Sequence, residues 1–461
     1  MVKEMAAQKY HGLTEGSIPK QMLLFALPMF ISSLFQQLYN AVDSLIVGNI
    51  LGDQELASVA SGGSLIFLMT GFVFGISAGA GVVIARYFGA QDKERLHKAV
   101  HTTVAIGIVC GIFLTAFGFF FTPWLLELMA TPDDVMPHSV LYFRIYSLGC
   151  ITVVLYNFGA CILQSIGDSR SPMIFLIVSA VSNVILDLVF IWGLGGGVSS
   201  AALATVLSQG LSAFLVFSKL IRLGRQGHEY GVSIRSIRID FPMLKNVITQ
   251  GIPSGIQNSV TSISHIVVQG NINLFGAMAM AGCGTHMKIE GFAFLPIMCF
   301  SMALATFVSQ NLGANKPERV MGGIKFGLTC SIISAQIVGV ILFFGAPFFI
   351  GLFSANPEVI YYGSSQLKIA ALFAFVLAID HCSIGILRGF GRPIIAMGIV
   401  LAIWCLFRIV FITGMLHFIH DIFVIFWTFP LTWSMTAVLF VYFLYRETRR
   451  LQRNAIPDGI V

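Results

Sequence analysis

The chain has 461 residues, of which 56% are hydrophobic and only 10% are charged, and its formal net charge is +6. A soluble globular domain carries about 25% charged residues, so this composition excludes a soluble domain, with or without a single anchor. The deficit of charge runs along the whole chain and predicts a polytopic membrane protein. The first twenty residues are polar and of mixed charge, so no cleavable signal peptide is expected. The eight cysteines lie in apolar segments without a CxxC pair, which predicts small buried side chains rather than metal or redox chemistry.

Apolar runs of about 20 residues or more predict twelve transmembrane helices, here called spans 1 to 12. They are predicted at 18–49, 55–85, 97–121, 138–166, 172–193, 199–222, 242–274, 279–310, 320–346, 359–388, 393–414 and 422–446. The runs are too long for barrel strands and do not alternate with a period of two. The predicted fold class is therefore an all-α membrane protein with twelve transmembrane helices.

The distribution of charge between loops supports this topology. The six loops on the side opposite the N-terminus contain no Lys or Arg and hold instead the acids Asp53, Glu127, Asp133, Asp134, Glu358 and Asp421. Basic residues collect in the cytoplasmic loops of membrane proteins, so both termini are predicted to be cytoplasmic. The same placement explains the pI of about 8.9 without a nucleic-acid partner.

The two halves of the chain repeat each other. Arg86–Arg95 follows span 2, and the similar segment Gln310–Arg319 follows span 8, about 224 residues later. At nearly the same offset, Ile162–Gly167 matches Ile386–Gly391. Because six spans separate the copies, both halves begin on the cytoplasmic side. The sequence therefore predicts two six-helix lobes related by a pseudo-two-fold axis along the membrane normal, with a substrate site between them near the midplane.

The predicted domains follow from this repeat and from the basic, polar segment between the halves. They are an N-lobe at 1–222, a cytoplasmic linker at 223–241, a C-lobe at 242–446 and a cytoplasmic tail at 447–461.

Asp43 is the most informative single residue, because it lies in the otherwise uncharged segment 21–50. A carboxylate at that depth in a bilayer costs a few kcal/mol or more and is rare unless it faces protein or water. Gln36 and Tyr39 lie seven and four residues before it, so all three side chains share one face of span 1.

Two further spans contribute polar oxygens. Asn183 and Asp187 share a face of span 5, and Thr205 lies in a run of small residues in span 6 that lets helices approach closely. Carboxylate, amide and hydroxyl oxygens suit a hard cation such as Na⁺. Two carboxylates close together in a low dielectric also favour retention of a proton by one of them. Together with Asp43, this set is predicted to bind Na⁺ or H⁺, and static, hydrogen-bonded core acids are the alternative.

The repeat is asymmetric at these positions. Aligned on the prolines that begin spans 5 and 11, Arg408 stands opposite Asp187 and Trp404 stands opposite Asn183. The position of Asp43 becomes apolar in the second half. A buried carboxylate pair is therefore predicted in the N-lobe alone.

The C-lobe has ionisable residues of its own. Lys288, Glu290, Asp380 and Arg408 are predicted as structural ion pairs, as cavity lining or as a second ion site, and these alternatives stay open. Arg144 and Lys368 occupy equivalent repeat positions near the outer ends of spans 4 and 10, where snorkelling of the charged group is expected.

These motifs together resemble the multidrug and toxic compound extrusion (MATE) family, in its bacterial and archaeal branch. The resemblance covers about residues 15 to 450 and is carried by Pro28 to Gly48, by the paired loops at Gly89-Ala90 and Gln310 to Ala314, and by Asn183, Asp187 and Thr205. It implies two lobes that form a V-shaped cleft, and export of organic cations driven by an inward H⁺ or Na⁺ gradient.

The resemblance also implies roles for individual residues. Asp43, Asn183, Asp187 and Thr205 would form the cation site of the N-lobe, with Na⁺ as one occupant, and Pro28 would let span 1 bend. Gln36 and Tyr39 would line the substrate cavity, to which we add Asn157, Asp380 and Arg408. Another branch of the family relies on an acid pair in spans 7 and 10. Span 7 has no intramembrane acid in this chain, so Asp380 alone matches that pair.

The expected function is secondary active multidrug export by alternating access, carried out by a monomer in the bacterial inner membrane. The expected partners are organic cations, the coupling ion and the lipid bilayer, without a cofactor. A lipid-linked precursor flippase of the wider superfamily is the alternative, and it would need Arg144, Lys288, Lys368 and Arg408 to converge. A membrane-embedded enzyme is not expected, because the sequence has no HExxH, GxSxG or paired histidine motif.

Overall fold

The structure is a computed structural model that describes residues 12–50, 53–128 and 136–455. Within these residues all regular secondary structure is helical. Two of the loop acids used above for the topology, Asp133 and Asp134, lie outside the described residues.

Seven α-helices form the first half. They are α1 (Ile18–Ile50), α2 (Asp53–Gly89), α3 (Lys93–Leu128), α4 (Met136–Leu148), α5 (Cys150–Ser165), α6 (Arg170–Asp187) and α7 (Val198–Arg225). A π-helical segment, Leu188–Gly193, continues α6.

Nine α-helices form the second half. They are α8 (Phe241–Asn273), α9 (Ala277–Ala293), α10 (Leu295–Gly313), α11 (Pro317–Gly351), α12 (Pro357–Leu372), α13 (Ala374–Gly389), α14 (Pro393–Val400), α15 (Arg408–Phe418) and α16 (Phe423–Ala455). A π-helical segment, Leu401–Phe407, joins α14 to α15.

The predicted all-α membrane fold is confirmed. In the described part of the chain, 9 helices are long and apolar enough to cross a membrane, or 11 if two bent pairs each count as one span. The bent pairs are α4 with α5, at 43°, and α12 with α13, at 60°, which correspond to predicted spans 4 and 10. The remaining predicted span corresponds to α8, which carries Gln250, Gln257, Asn258, His265 and Gln269.

The contacts divide the chain into two compact units, each with its own apolar core. Unit 1 contains Ile31–Gly255, and unit 2 contains Leu13–Phe30 and Ile256–Val461. Both changes of unit occur inside a helix, in α1 and in α8, and each falls two residues after a proline, Pro28 or Pro253. Proline removes one backbone hydrogen bond from a helix, so each change of unit lies where the helix is least constrained. The lobe boundaries predicted from sequence stay a prediction.

The backbone confirms the internal repeat. Among the described residues, Gln91 and Asn315 are the two non-glycine residues with positive φ, at 56° and 54°, and they occupy equivalent repeat positions. Gly167 and Gly391 form a second equivalent pair, with φ of 95° and 79°. Each of these residues ends a helix in the left-handed conformation that closes a helix C-terminus. The loops that match in sequence therefore also match in backbone conformation.

The loop between α10 and α11 binds the segment before α1, Leu13–Gly16, which we call the N-terminal strap. The backbone N–H of Leu13 donates to Oε1 of Gln310 at 2.6 Å, and Nζ of Lys316 donates to the carbonyl of Thr14 at 3.1 Å. The Arg319 guanidinium donates to three strap carbonyls at 2.7, 3.2 and 3.3 Å. The polar side chains of the Gln310–Arg319 motif thus fix the entry to α1 within unit 2.

The equivalent region of unit 1 binds the segment before α8. Lys93 forms an ion pair with Glu229, with 2.7 Å between Nζ and Oε1. Nε2 of His101 accepts from the backbone N–H of Ser233 at 3.0 Å. In both units, therefore, the region of the repeated motif binds the segment that precedes a long helix, α1 or α8, although the groups that form the contacts differ.

Candidate functional site

The candidate site begins where α6 passes into its π-helical segment. Asn183 and Asp187 are 0% exposed and Thr205 of α7 is 8% exposed. With the Asn183 amide oriented to satisfy both neighbours, its nitrogen donates to Oδ2 of Asp187 at 2.8 Å. Its oxygen accepts from the backbone N–H of Thr205 at 3.3 Å. The structure thus brings together the three residues that the sequence singled out on spans 5 and 6. Single π-helical turns are rare and are frequent at functional sites.

Helix α1 adds two more of the predicted residues. The carboxyl group of Asp43 lies within hydrogen-bonding reach of the Asp187 carboxyl, and the Tyr39 hydroxyl lies near Thr205. Oδ1 of Asp43 and Oδ1 of Asp187 are both buried, and neither has a hydrogen-bond partner among the described residues. Two ionised carboxylates in contact repel each other, so this arrangement needs a proton or another cation between them.

The oxygens present fit either occupant. A proton would convert one carboxyl into a donor to the other and remove the repulsion. Na⁺ would be held by carboxylate oxygens of Asp43 and Asp187, with Thr205 as a further oxygen ligand. The Asn183 amide would join this set by turning its oxygen towards Asp187, which gives a set typical of hard cations. The Thr205 hydroxyl donates to the carbonyl of Ala201 at 3.1 Å and keeps its own lone pairs for such a ligand.

The sequence reasoning missed one residue at this site, Tyr142 of α4. This side chain is 5% exposed and lies close enough to Asp43 and Asp187 for their charges to act on its hydroxyl. Its ring stacks on Tyr146, with 6.4 Å between the ring centroids. The signal was available as two tyrosines four residues apart on one face of an apolar span, because a buried Tyr hydroxyl needs a polar partner.

The other predicted cavity residues are placed apart from this cluster or away from solvent. Gln36 is exposed on α1. The Asn157 amide donates to the carbonyl of Val153 at 2.7 Å, within its own helix. Asp380 and Arg408 belong to unit 2, and their side chains are 0% and 1% exposed. Their assignment to a substrate cavity stays a prediction.

Three of the remaining intramembrane charges, Glu290, Lys288 and Arg144, have local partners. Glu290 contacts His286, with 3.4 Å between Oε2 and Nε2. The Lys288 ammonium lies 5.9 Å from the centroid of the Phe353 ring, and the Arg144 guanidinium lies 5.6 Å from that of Phe119. Each of these cations contacts an aromatic ring within its own unit, and the convergence of basic groups that a flippase would need stays a prediction.

The helical membrane fold, its internal repeat and the buried acid cluster define a multi-pass membrane transporter. The sequence profile of the MatE family matches residues 28–189 and 253–413, which is one match in each repeat. The chain belongs to the MATE family.

Relatives and solved structures agree with this assignment. The chain is 30% identical over 369 residues to the probable multidrug resistance protein YoeA of Bacillus subtilis, covering 79% of both chains. It is 26% identical to the probable multidrug resistance protein NorM of Thermotoga maritima, covering 84% of this chain and 83% of that one. The fold is shared with a crystal structure of MATE in the bent conformation. The match covers 96% of this chain and 98% of that chain, with a TM-score of 0.89 at 20% identity.

Proposed function

We propose that the protein is a secondary active multidrug exporter that exchanges organic, mostly cationic amphiphilic compounds for protons. The observation that carries this proposal is the contact between the carboxyl groups of Asp43 and Asp187 inside a frame of hydrogen bonds. Such a pair binds one proton far more readily than it tolerates two negative charges, so its charge depends on the side of the membrane to which it is open. The names of the relatives, multidrug resistance and export proteins, support the substrate class.

The coupling step follows from this change in charge. A proton that enters the pair removes the repulsion between α1 and α6, and its loss restores that repulsion. The two protonation states therefore favour different packing of the second half of α1, which begins just after Pro28. We propose that α1 bends at this proline, because the missing backbone hydrogen bond lowers the cost of bending. An organic cation and a proton would then compete for the same negative charge.

The setting of the transporter is part of the proposal. The charge bias of the loops supports cytoplasmic termini in a bacterial cell, and the protein would act as a monomer in the inner membrane. Na⁺ is the alternative coupling ion, bound by the same four residues.

The test is efflux of a fluorescent organic cation from proteoliposomes, with a pH gradient and a Na⁺ gradient imposed separately. We expect the pH gradient to drive efflux and Asp43→Asn to abolish it, with normal yield of folded protein. Transport driven by the Na⁺ gradient alone would reassign the coupling ion, and gradient-driven transport retained by Asp43→Asn would refute the role of the pair. Glu358→Gln is the matched control, because it neutralises an exposed acid at the start of α12 and should transport normally.

A further inference from the structure

The position equivalent to Asp187 in unit 2 is occupied by Arg408, which is the largest of the fully buried side chains in the described part of the chain. Its Nη2 donates to the hydroxyl of Thr432 on α16 at 2.7 Å, and its Nε lies 3.3 Å from the same oxygen. The guanidinium carbon lies 4.6 Å from the centroid of the Phe429 ring and 5.6 Å from that of Trp404. Arginine stays protonated in proteins, so this is a permanent positive charge enclosed by protein.

One helical turn further along α16 than Thr432, a second threonine binds a buried acid. Asp380 of α13 is 0% exposed, and its Oδ2 accepts from the hydroxyl of Thr436 at 2.7 Å. Trp404, the residue equivalent to Asn183, donates from Nε1 to the same hydroxyl at 3.1 Å. Oδ1 of Asp380 is buried and has no hydrogen-bond partner among the described residues.

The acid and the cation are linked by two threonines. Arg408 lies within electrostatic range of Asp380 and of Glu290. Thr432 and Thr436 are four residues apart on α16, which places their hydroxyls on one face and aligns the two charged groups along it. A buried charge without a counter-charge is strongly destabilising, so each of these groups supplies what the other needs.

We propose that Arg408 is a built-in counter-cation that takes, in unit 2, the place that the coupling ion takes at Asp187 in unit 1. It balances the charge of Asp380 from within the protein and so prevents the second half from binding a coupling ion. This proposal rests on the proposed function for its account of unit 1. Its consequence is that ion coupling depends on the Asp43–Asp187 pair alone, although the chain keeps an intramembrane acid on span 10.

Other ionisable groups face this network and belong in its test. Glu290 and its partner His286 lie on α9. His265 of α8 lies within electrostatic range of both Arg408 and Glu290. His381 follows Asp380 in sequence and lies near Arg388 and Glu290. Any response to cations must therefore be traced to Asp380 by substitution.

The experiment measures cation binding in purified full-length protein, through the thermal unfolding temperature and tryptophan fluorescence. Protein is titrated with NaCl against choline chloride at constant ionic strength and, separately, with pH. In an Asp43→Asn background, which disables the pair in unit 1, we expect Asp380→Asn to change neither response. Adding Arg408→Met to that background should create a cation-dependent rise of a few degrees in unfolding temperature. A further Asp380→Asn change should remove this rise, whereas Glu290→Gln should leave it.

Two controls and two refuting outcomes complete the design. Arg408→Lys keeps the charge and should create no response, and Arg144→Met removes an intramembrane guanidinium whose contact among the described residues is the Phe119 ring. A cation response in Asp43→Asn protein that disappears with Asp380→Asn would overturn the proposal, and this comparison needs no Arg408 variant to fold. A folded Asp43→Asn, Arg408→Met protein without a response would also overturn it. A cation response that persists after Asp380→Asn would instead show that the function proposed for the acid pair in unit 1 is wrong.

Discussion

Three glycines on one face of α2 allow a sharp test of how unit 1 is packed. A Cβ atom added at Gly75 would lie 2.6 Å from the backbone carbonyl carbon of Ser254 in α8, and closer still to the backbone of Gly255. One turn along, a Cβ at Gly79 would lie 2.6 Å from the carbonyl carbon of Gln250 and closer still to Gly251. The backbones of α2 and α8 are therefore in direct contact, and this contact fixes the first half of α8 within unit 1.

The expected cost follows from these distances. Side-chain carbon atoms do not approach backbone atoms closer than about 3.4 Å without strain, so Gly75→Ala or Gly79→Ala must separate the two helices by about 1 Å. Overpacking of this kind costs about 1–3 kcal/mol, and we expect the upper end because backbone atoms cannot rotate away. For a unit of this size that corresponds to a fall of about 5–10 °C in unfolding temperature.

Gly71 provides the matched control on the same face of α2. A Cβ atom at Gly71 would meet no described atom within 4 Å. Alanine forms helix better than glycine by about 1 kcal/mol, so Gly71→Ala should be neutral or slightly stabilising. The assay is thermal unfolding of the purified variants in detergent. If Gly75→Ala and Gly71→Ala unfold at the same temperature, the close crossing of α2 and α8 is wrong.

Three further predictions concern polar contacts near the ends of helices. Arg319→Ala removes a charged donor from three strap carbonyls and should lower the unfolding temperature by several degrees, since each such bond contributes about 1.5–3 kcal/mol before solvent screening. Lys219→Met removes the ammonium that lies 2.6 Å from the buried Asp168 carboxylate, which keeps its hydrogen bonds from Ser171, and should lower the unfolding temperature. Adding Asp168→Asn should recover most of the lost stability. The Lys93 ammonium lowers the pKa of the Glu229 carboxyl below its ordinary value, so the small stabilisation that Lys93→Met removes should be present at neutral pH. Unfolding temperatures of the two proteins should converge as the pH falls through the folded-state pKa of Glu229.

Much of the fold was predictable because a bilayer imposes simple rules. Each spanning segment must be apolar and helical, so hydropathy located the spans and loop charge predicted their orientation. The breaks were not predictable in the same way. Span 8 divides at Phe294, just before Pro296, where sequence carries a signal. Span 10 bends by 60° at Phe373, where no proline marks the break in the sequence.

The candidate site shows the same division. Spacing of four residues placed Asn183 and Asp187 on one face of a helix, and the cost of an intramembrane charge drew attention to Asp43. Tyr142 escaped notice, because periodicity shows which face of a helix is polar but not which other helix that face meets. The linkage of Asp380 to Arg408 through α16 escaped notice for the same reason, since Thr432 and Thr436 are unremarkable residues in an apolar span.

The sequence alone therefore determined that this chain is a twelve-span helical membrane protein built from two repeats, with acids in the first repeat that its second repeat lacks. Those properties depend on composition and spacing along one chain. The tertiary structure decided which side chains meet: Asp43 with Asp187, and Arg408 with a threonine that leads to Asp380. Contacts between helices distant in sequence depend on how side chains of particular shapes pack together, and no local pattern records that.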